Sequence, residues 1–218
     1  MMSNRDDLFE IMYKRSFKFQ PDNPFTLVSG NISPLYFDCR ATLLYSKGIG
    51  KAAAAFCTKM ITLDKTPNLI GGLTMGADPI TYGVTIFSPE KIEPVIIRKE
   101  AKAHGTKKQI EGTFEEGDTI VIVDDVITTG GSTIKAINAA REAGLEVEDV
   151  IVLVDREEFD GVANIEKEGV KVHSIFKAKE FIDRHLLDQG RTHRDDGTII
   201  GGKYEGRQDH DVTGWKPE

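Results

Sequence analysis

Val121-Ile122-Val123-Asp124-Asp125-Val126-Ile127-Thr128-Thr129-Gly130-Gly131-Ser132-Thr133 is the stretch on which the reading of this chain turns. Its first half belongs to an apolar, mostly β-branched run from Thr119 to Val123. A run of this kind, without polar alternation, suits a strand covered on both faces, as in a parallel sheet flanked by helices. Its second half is a loop of Thr, Gly and Ser, after which Ser132 reads as the N-cap of a helix ending at Gly144. A small-residue loop at a helix N-terminus lets backbone N–H groups converge on an anion, and the helix dipole favours negative charge there. No Gly-Lys-Ser/Thr follows the glycines and the stretch contains no G-x-G-x-x-G, so it is neither a Walker A loop nor a dinucleotide fingerprint.

The two carboxylates at the strand end narrow the ligand. Asp124 and Asp125 would repel a phosphate, so they face another part of the same molecule. Ribose hydroxyls are good donors to a carboxylate, and a sugar 5-phosphate satisfies both halves of the motif. Consecutive strand residues point to opposite sides, so one Asp is expected to contact the ligand and the other to orient the loop. No purely structural use for a double acid is expected at such a turn.

Outward from this stretch, strands and helices alternate. Leu69–Gly72 reads as a strand, Asp78–Phe87 as a helix and Pro94–Arg98 as a second strand. Beyond the motif come the apolar strand Val150–Val154, ending in Asp155-Arg156, a helix near Asn164–Glu168, a strand Val170–Phe176 and a helix Ala178–Leu187. Upstream, Ser46 is a candidate N-cap for a helix carrying Ile49, Ala53, Phe56 and Met60 at helical spacing. Leu8, Ile11, Met12 and Phe19 mark an N-terminal amphipathic helix. The pattern predicts an α/β fold, an open and mostly parallel sheet with helices on both faces and ligands at the carboxyl ends of the strands. One domain is expected over residues 1–189. Residues 190–218, with six glycines and Trp215, read as an irregular C-terminal extension.

The 218 residues carry 28 Lys and Arg against 35 Asp and Glu, a net charge of -7. That balance argues against a dedicated nucleic-acid binder. The charge is uneven: residues 98–108 hold five cations against Glu100, a local +4 that leaves -11 for the rest. This basic run lies in a polar stretch from Lys99 to Asp118, longer than ordinary connections and of the length typical of functional lids. Cys39 and Cys57 have no partners at metal or disulfide-framework spacing. No apolar run reaches the ~18 residues of a membrane span, and the N-terminus lacks a signal-peptide layout. A soluble, cytoplasmic protein with no membrane partner is expected.

The thirteen-residue motif resembles the ribose-phosphate binding motif of the type I phosphoribosyltransferases. These enzymes take 5-phospho-α-D-ribose 1-diphosphate (PRPP), displace pyrophosphate and join the ribose phosphate to a base. Phe25–Gly30 with Ser33–Arg40, and Arg98–Gly105, are similar to the N-terminal segment and mobile catalytic loop of the orotate phosphoribosyltransferases within that family. The likeness runs over roughly residues 20–180. It implies the type I phosphoribosyltransferase fold, with an N-terminal hood at about 1–45 and a mobile catalytic loop at about 99–117. It implies Mg2+-dependent conversion of PRPP and orotate to orotidine 5′-monophosphate and pyrophosphate, a step of de novo pyrimidine (UMP) synthesis.

Residue by residue, the resemblance implies Lys102 as the main catalytic residue, with Asp124 and Asp125. PRPP contacts are implied for Arg98, Lys99, Lys102 and His104, and for Asp124, Asp125, Val126, Ile127, Thr128, Thr129, Gly130, Gly131 and Ser132. Thr128 and Arg156 are the implied orotate contacts, and Gly71–Pro79 matches the pyrophosphate loop. The metal is expected to be carried by PRPP rather than held in a protein cage. A homodimer is implied, each loop closing over the neighbour's site. Val28 and Met75 depart from the family, many members of which carry lysine at both positions. A phosphoribosyltransferase for another base and a non-catalytic PRPP-sensing regulator are the alternatives.

Overall fold

A computed structural model describes residues 3–27, 30–100, 108–193 and 199–201. The chain opens with α1 (Asn4–Arg15), started by a reciprocal cap in which Asp6 N donates to Ser3 Oγ at 3.1 Å and Ser3 N to Asp6 Oδ2 at 3.0 Å. Four short strands follow, β1 (Phe17–Phe19), β2 (Phe25–Thr26), β3 (Ile32–Ser33) and β4 (Leu35–Phe37), then α2 (Arg40–Leu43) and α3 (Ser46–Met60). The alternating body comprises β5 (Leu69–Leu73), α4 (Asp78–Phe87), β6 (Glu93–Ile97), β7 (Ile110–Glu111), β8 (Thr119–Ile127), α5 (Gly131–Glu142), β9 (Glu146–Asp155), α6 (Gly161–Glu166), β10 (Lys171–Lys177) and α7 (Ala178–Asp188). A last antiparallel pair joins β11 (Arg191–His193) to β12 (Ile199–Gly201).

Six strands form the main sheet in the order β10-β9-β8-β5-β6-β7, all parallel except the antiparallel edge strand β7. This is the mostly parallel α/β sheet expected from the sequence. From β5 the chain first moves outward to β6, then returns to the other side of β5 as β8 and continues to β9 and β10. The strand order therefore reverses between β5 and β8, and a crevice opens at their carboxyl ends, where doubly wound sheets bind ligands. Right-handed crossovers then place α4 and α5 on opposite faces. Accordingly, Val121 and Val123 of β8 pack into a core with Ile80 and Val84 of α4. Ile120 and Ile122 pack into a second core with Ala136, Ile137 and Ala140 of α5.

The N-terminal segment is held to the body by aromatic rings. Phe181 of α7 is fully buried and lies 4.5 Å from Phe9, 5.1 Å from Phe37 and 5.5 Å from Phe17, centroid to centroid. Large rings bury the most apolar area per residue and fix geometry at contact, so β1 and β4 are seated at the end of the sheet where β9 and β10 finish.

Several expectations are corrected. The N-terminal helix stops at Arg15, and Phe19 belongs to β1, paired with Leu35. Ser46 is the first residue of α3 rather than its cap; extended Tyr45 holds the cap position with no side-chain bond. The motif strand does not end at the two acids but runs to Ile127, because β9 offers pairing partners as far as Asp155. Ser132 does not cap α5: Gly130 does, in left-handed backbone at φ 84°. The stretch expected to be loop from Lys99 to Asp118 contains β7, whose Ile110 is buried against β6. The helix placed at Asn164–Glu168 starts earlier, at Gly161. The extension begins as the β11–β12 pair rather than as irregular chain.

Candidate active site

The crevice between β5 and β8 is walled by two loops, Thr74–Ala77 after β5 and Thr128–Gly130 after β8. In the first, Thr74 N donates to Ile97 O at 2.8 Å and Thr74 Oγ1 to Asp78 Oδ2 at 2.7 Å, which pins the turn to β6 and to the start of α4. A β-carbon on Gly76 would stand 2.8 Å from Asp125 Oδ1, so this loop lies directly against the acidic pair. Met75, one of the two positions where family members carry lysine, is 69% exposed. Val28, the other, lies outside the described residues.

The second loop has the geometry of an anion cradle. Gly130 supplies the left-handed residue from which α5 departs, and the first-turn N–H groups of an α-helix have no intrahelical partners. Gly161 of α6 packs on this loop so closely that a β-carbon there would lie 2.3 Å from Thr128 O. Asn164 Nδ2 donates to Thr129 O at 3.2 Å. The loop is thus held by α6 through its carbonyl groups.

The two acids are separated by their surroundings. Asp124 is buried and accepts from Thr133 Oγ1 at 2.8 Å, Ser132 Oγ at 2.9 Å and Asp125 N at 3.0 Å. It ties the first turn of α5 to the strand, the orienting part expected of one of the two acids. It also explains why Ser132 caps nothing. Asp125 is half-buried beside Gly76 and is linked to Asp124 by a side-chain hydrogen bond. Burial raises both carboxyls, and the neighbouring Asp124 charge carries Asp125 to about 7. One proton shared by the pair near neutrality is the consequence. Of the two, Asp125 is the carboxylate beside the Thr74–Ala77 turn, while Asp124 faces α5.

The remaining candidates fall in three places. Val126, Ile127, Thr128, Thr129, Gly130, Gly131 and Ser132 lie on the β8 end, the cradle and the first turn of α5. Arg98 and Lys99 are exposed just past β6, where Arg98 Nε donates to Glu111 Oε1 at 3.2 Å and Arg98 N to Gln109 O at 2.9 Å, closing the base of the basic loop. Lys102 and His104 lie outside the described residues. Arg156 is buried at the end of β9, with Nη2 donating to Ser33 Oγ at 2.7 Å and to Leu35 O at 2.8 Å. Glu158 Oε2 stands 2.6 Å from the same nitrogen. Sequence reasoning assigned no role to Ser33, Glu158, Gly161 or Asn164. Ser33 stood within a quoted motif, but nothing in the order of residues paired it with a side chain on β9. Arg40, at the end of the Ser33–Arg40 segment, is exposed and paired with Asp38 at 3.2 Å.

A small-residue loop at a helix N-terminus and an acidic pair at the switch point of a parallel sheet, beside the N-terminal segment, are the arrangement expected of a ribose-phosphate site. A family model described as the phosphoribosyl transferase domain matches residues 75–184, half of the chain, and the chain belongs to the phosphoribosyltransferase family. A curated orotate phosphoribosyltransferase of Aquifex aeolicus is 41% identical over 84% of this chain and 100% of its own length. One from Leptospira biflexa is 40% identical over 82% of this chain and 98% of its own. The orotate phosphoribosyltransferase of Mycobacterium tuberculosis, solved with PRPP, superposes with a TM-score of 0.67 at 27% identity, covering 82% of this chain and 99% of that one. Within its family the chain belongs with the orotate phosphoribosyltransferases.

Proposed function

We propose that this protein transfers the 5-phosphoribosyl group of PRPP to orotate, giving orotidine 5′-monophosphate and pyrophosphate in de novo pyrimidine synthesis in the cytoplasm. The observation that carries the reading is the joint presence, at the β5–β8 switch point, of an amide cradle for the 5-phosphate and a carboxylate, Asp125, beside it. Ribose hydroxyls donate to Asp125, while Asp124 holds the cradle's helix in place. The backbone of Thr128–Ser132 binds the 5-phosphate, and the Thr74–Ala77 turn faces the diphosphate.

The C1–O bond to pyrophosphate breaks with its electron pair leaving on oxygen, and positive charge develops on the ribose ring. A buried carboxylate pair close to that ring stabilises such charge. Arg98, Lys99, Lys102 and His104 of the basic loop neutralise the departing diphosphate and exclude water when the loop closes. The ring nitrogen of orotate then forms the new bond to C1 and releases its proton to the departing pyrophosphate or to solvent, with Thr128 and Arg156 as its contacts. Among the described residues no cluster of three or more His, Cys, Asp or Glu could hold a metal. One crevice-facing carboxylate suits an ion that keeps substrate oxygens and water as ligands, and Mg2+ has that habit. When bound with PRPP it supplies charge neutralisation on the diphosphate.

A homodimer with shared sites is part of the proposal, supported by an apolar row on α4. Tyr82, Ile86 and Phe87 are 45%, 86% and 54% exposed there, more contiguous apolar surface than a solvated helix face carries. Light scattering that gave the mass of a single chain would remove this part. Among the described residues no helix is long and apolar enough to cross a membrane.

The activity is tested by following pyrophosphate release with PRPP and Mg2+ and, separately, orotate, uracil, adenine or hypoxanthine. Turnover with orotate, depressed at least about a hundredfold in kcat by Lys102→Ala, is the expected result. Turnover with another base and none with orotate would overturn it.

A further inference from the structure

Arg156 has surroundings that contact with a substrate does not account for. It is 4% exposed; its Nη2 donates to Ser33 Oγ and Leu35 O at 2.7 and 2.8 Å and forms an ion pair with Glu158 Oε2 at 2.6 Å. Ser33 Oγ in turn donates to Glu158 Oε1 at 2.6 Å and accepts from Leu35 N at 3.0 Å. The hood strands β3 and β4 are thereby joined to the end of β9 by one closed ring of hydrogen bonds around a buried ion pair. Arg156 Nε is buried and has no partner among the described residues. An open guanidinium donor at that depth is costly unless an acceptor reaches it.

Glu158 is held in an unusual piece of backbone. Glu157, Phe159 and Asp160 have φ of 56°, 55° and 53°, so three of the four residues 157–160 are left-handed and none is glycine. Such residues persist only where the surroundings over-determine them, and they concentrate at functional sites. Here Glu157 N donates to Asp155 Oδ1 at 2.8 Å, and Glu157 Oε2 accepts from Lys179 N at 3.1 Å. Asn164 Nδ2 lies 3.4 Å from Phe159 O as well as 3.2 Å from Thr129 O, and so links this loop to the phosphate cradle. One strained loop thus grips the hood through Glu158 and the cradle through Asn164.

Resting on the function proposed above, we infer that Glu158 is a positioning residue for the second substrate. Through Ser33 and Arg156 it sets the height of the β3–β4 edge over the cradle and the direction of the open Arg156 donor, and so shapes the space orotate enters. PRPP, seated on the cradle below, does not depend on it.

Glu158→Gln keeps an acceptor for Ser33 and removes the counter-charge of Arg156. It is expected to raise the KM for orotate about tenfold, the scale of one charge-assisted hydrogen bond, while the KM for PRPP stays within about twofold. Ser33→Ala, which deletes a single hydroxyl, is the second variant should Glu158→Gln fail to fold. It gives the same split with a smaller rise. Circular dichroism and Tm are measured on each variant, and kinetics are taken well below its Tm. A fall in Tm with both KM values unchanged, or both raised alike, would overturn the inference and leave Glu158 a structural residue. A parent enzyme without orotate turnover would overturn the proposed function and this inference together. A parent active with orotate, whose variants show no split, removes this inference alone.

Discussion

Replacing Asp125 by Asn is expected to make the protein more stable and less active, with the gain in stability growing as pH rises. Asp125 stands next to a buried Asp124 that is hydrogen-bonded in its charged form, and its own carboxyl is raised from 3.8 to about 7. Its folded-state value lies above its unfolded value, so the folded protein holds the proton more tightly. The stabilisation this brings is fully present below the unfolded value near 3.8, and is lost as pH rises towards the folded value near 7. From near pH 5.5 to 7 the interval is roughly 1.5 units, which at ~1.36 kcal/mol per unit gives roughly 2 kcal/mol. Asparagine does not ionise, so the advantage of the variant over the parent should grow by about that amount between pH 5.5 and pH 8. The titrating groups other than Asp124 are common to both proteins and cancel. In thermal melts the change corresponds to roughly 4–8 °C for a chain of this size.

The assay is a set of urea and thermal melts of both proteins, without ligands, near pH 5.5 and pH 8. At pH 8 the kcat/KM for PRPP should fall roughly tenfold to a hundredfold with the lost charge-assisted bond to ribose. A stability difference of the same size at both pH values would refute the reasoning, because the shared proton would then not belong to this pair.

Three further outcomes follow from the same geometry. If ribose hydroxyls need the Asp125 carboxylate, PRPP binding near pH 7 should release protons; titration calorimetry in buffers of different ionisation enthalpy reads this, and heats independent of buffer would count against it. Gly130→Ala combines φ 84° with a β-carbon 2.8 Å from Gly161 O, so it should cost more than the ~1–2 kcal/mol of left-handed backbone alone and weaken PRPP binding. Gly169→Ala, at φ 76° with nothing within 4 Å, should cost the backbone part only and leave PRPP affinity intact in the same melts and titrations. Thr81 is 1% exposed and its hydroxyl has no partner among the described residues, so Thr81→Val should raise stability by about 1 kcal/mol, seen as a Tm higher by roughly 2–4 °C.

Elements built from local apolar runs were legible in the chain. The expected helix Asp78–Phe87 matches α4 residue for residue, and the apolar runs at 119–123 and 150–154 fall in the first half of β8 and the second half of β9. Their ends were not legible, because pairing partners on the next strand decide where a strand stops. Asp124 to Ile127 stay in the sheet only since β9 lies alongside as far as Asp155. Helix caps misled for a related reason: Ser132 has the right chemistry for a cap, but a buried carboxylate eight positions earlier takes its hydroxyl. β7 escaped notice because two residues, Ile110 and Glu111, carry no periodicity of their own and become a strand only by pairing with β6.

The chemistry of the site was written in the order of residues. A buried apolar run, two acids, and a loop of Thr, Gly and Ser before a helix are what the proposed ribose phosphate cradle is read from, since each part acts through its immediate neighbours. Tertiary structure alone decided which acid lies beside the Thr74–Ala77 turn and what Arg156 holds. The pleat sets which side of the sheet each carboxylate faces, but only the packed neighbours give those sides their meaning, with α5 over Asp124 and Gly76 beside Asp125. Arg156 meets Ser33 across 123 residues of chain. Contacts over such separations form only when the hood docks on the sheet, and no local pattern records them.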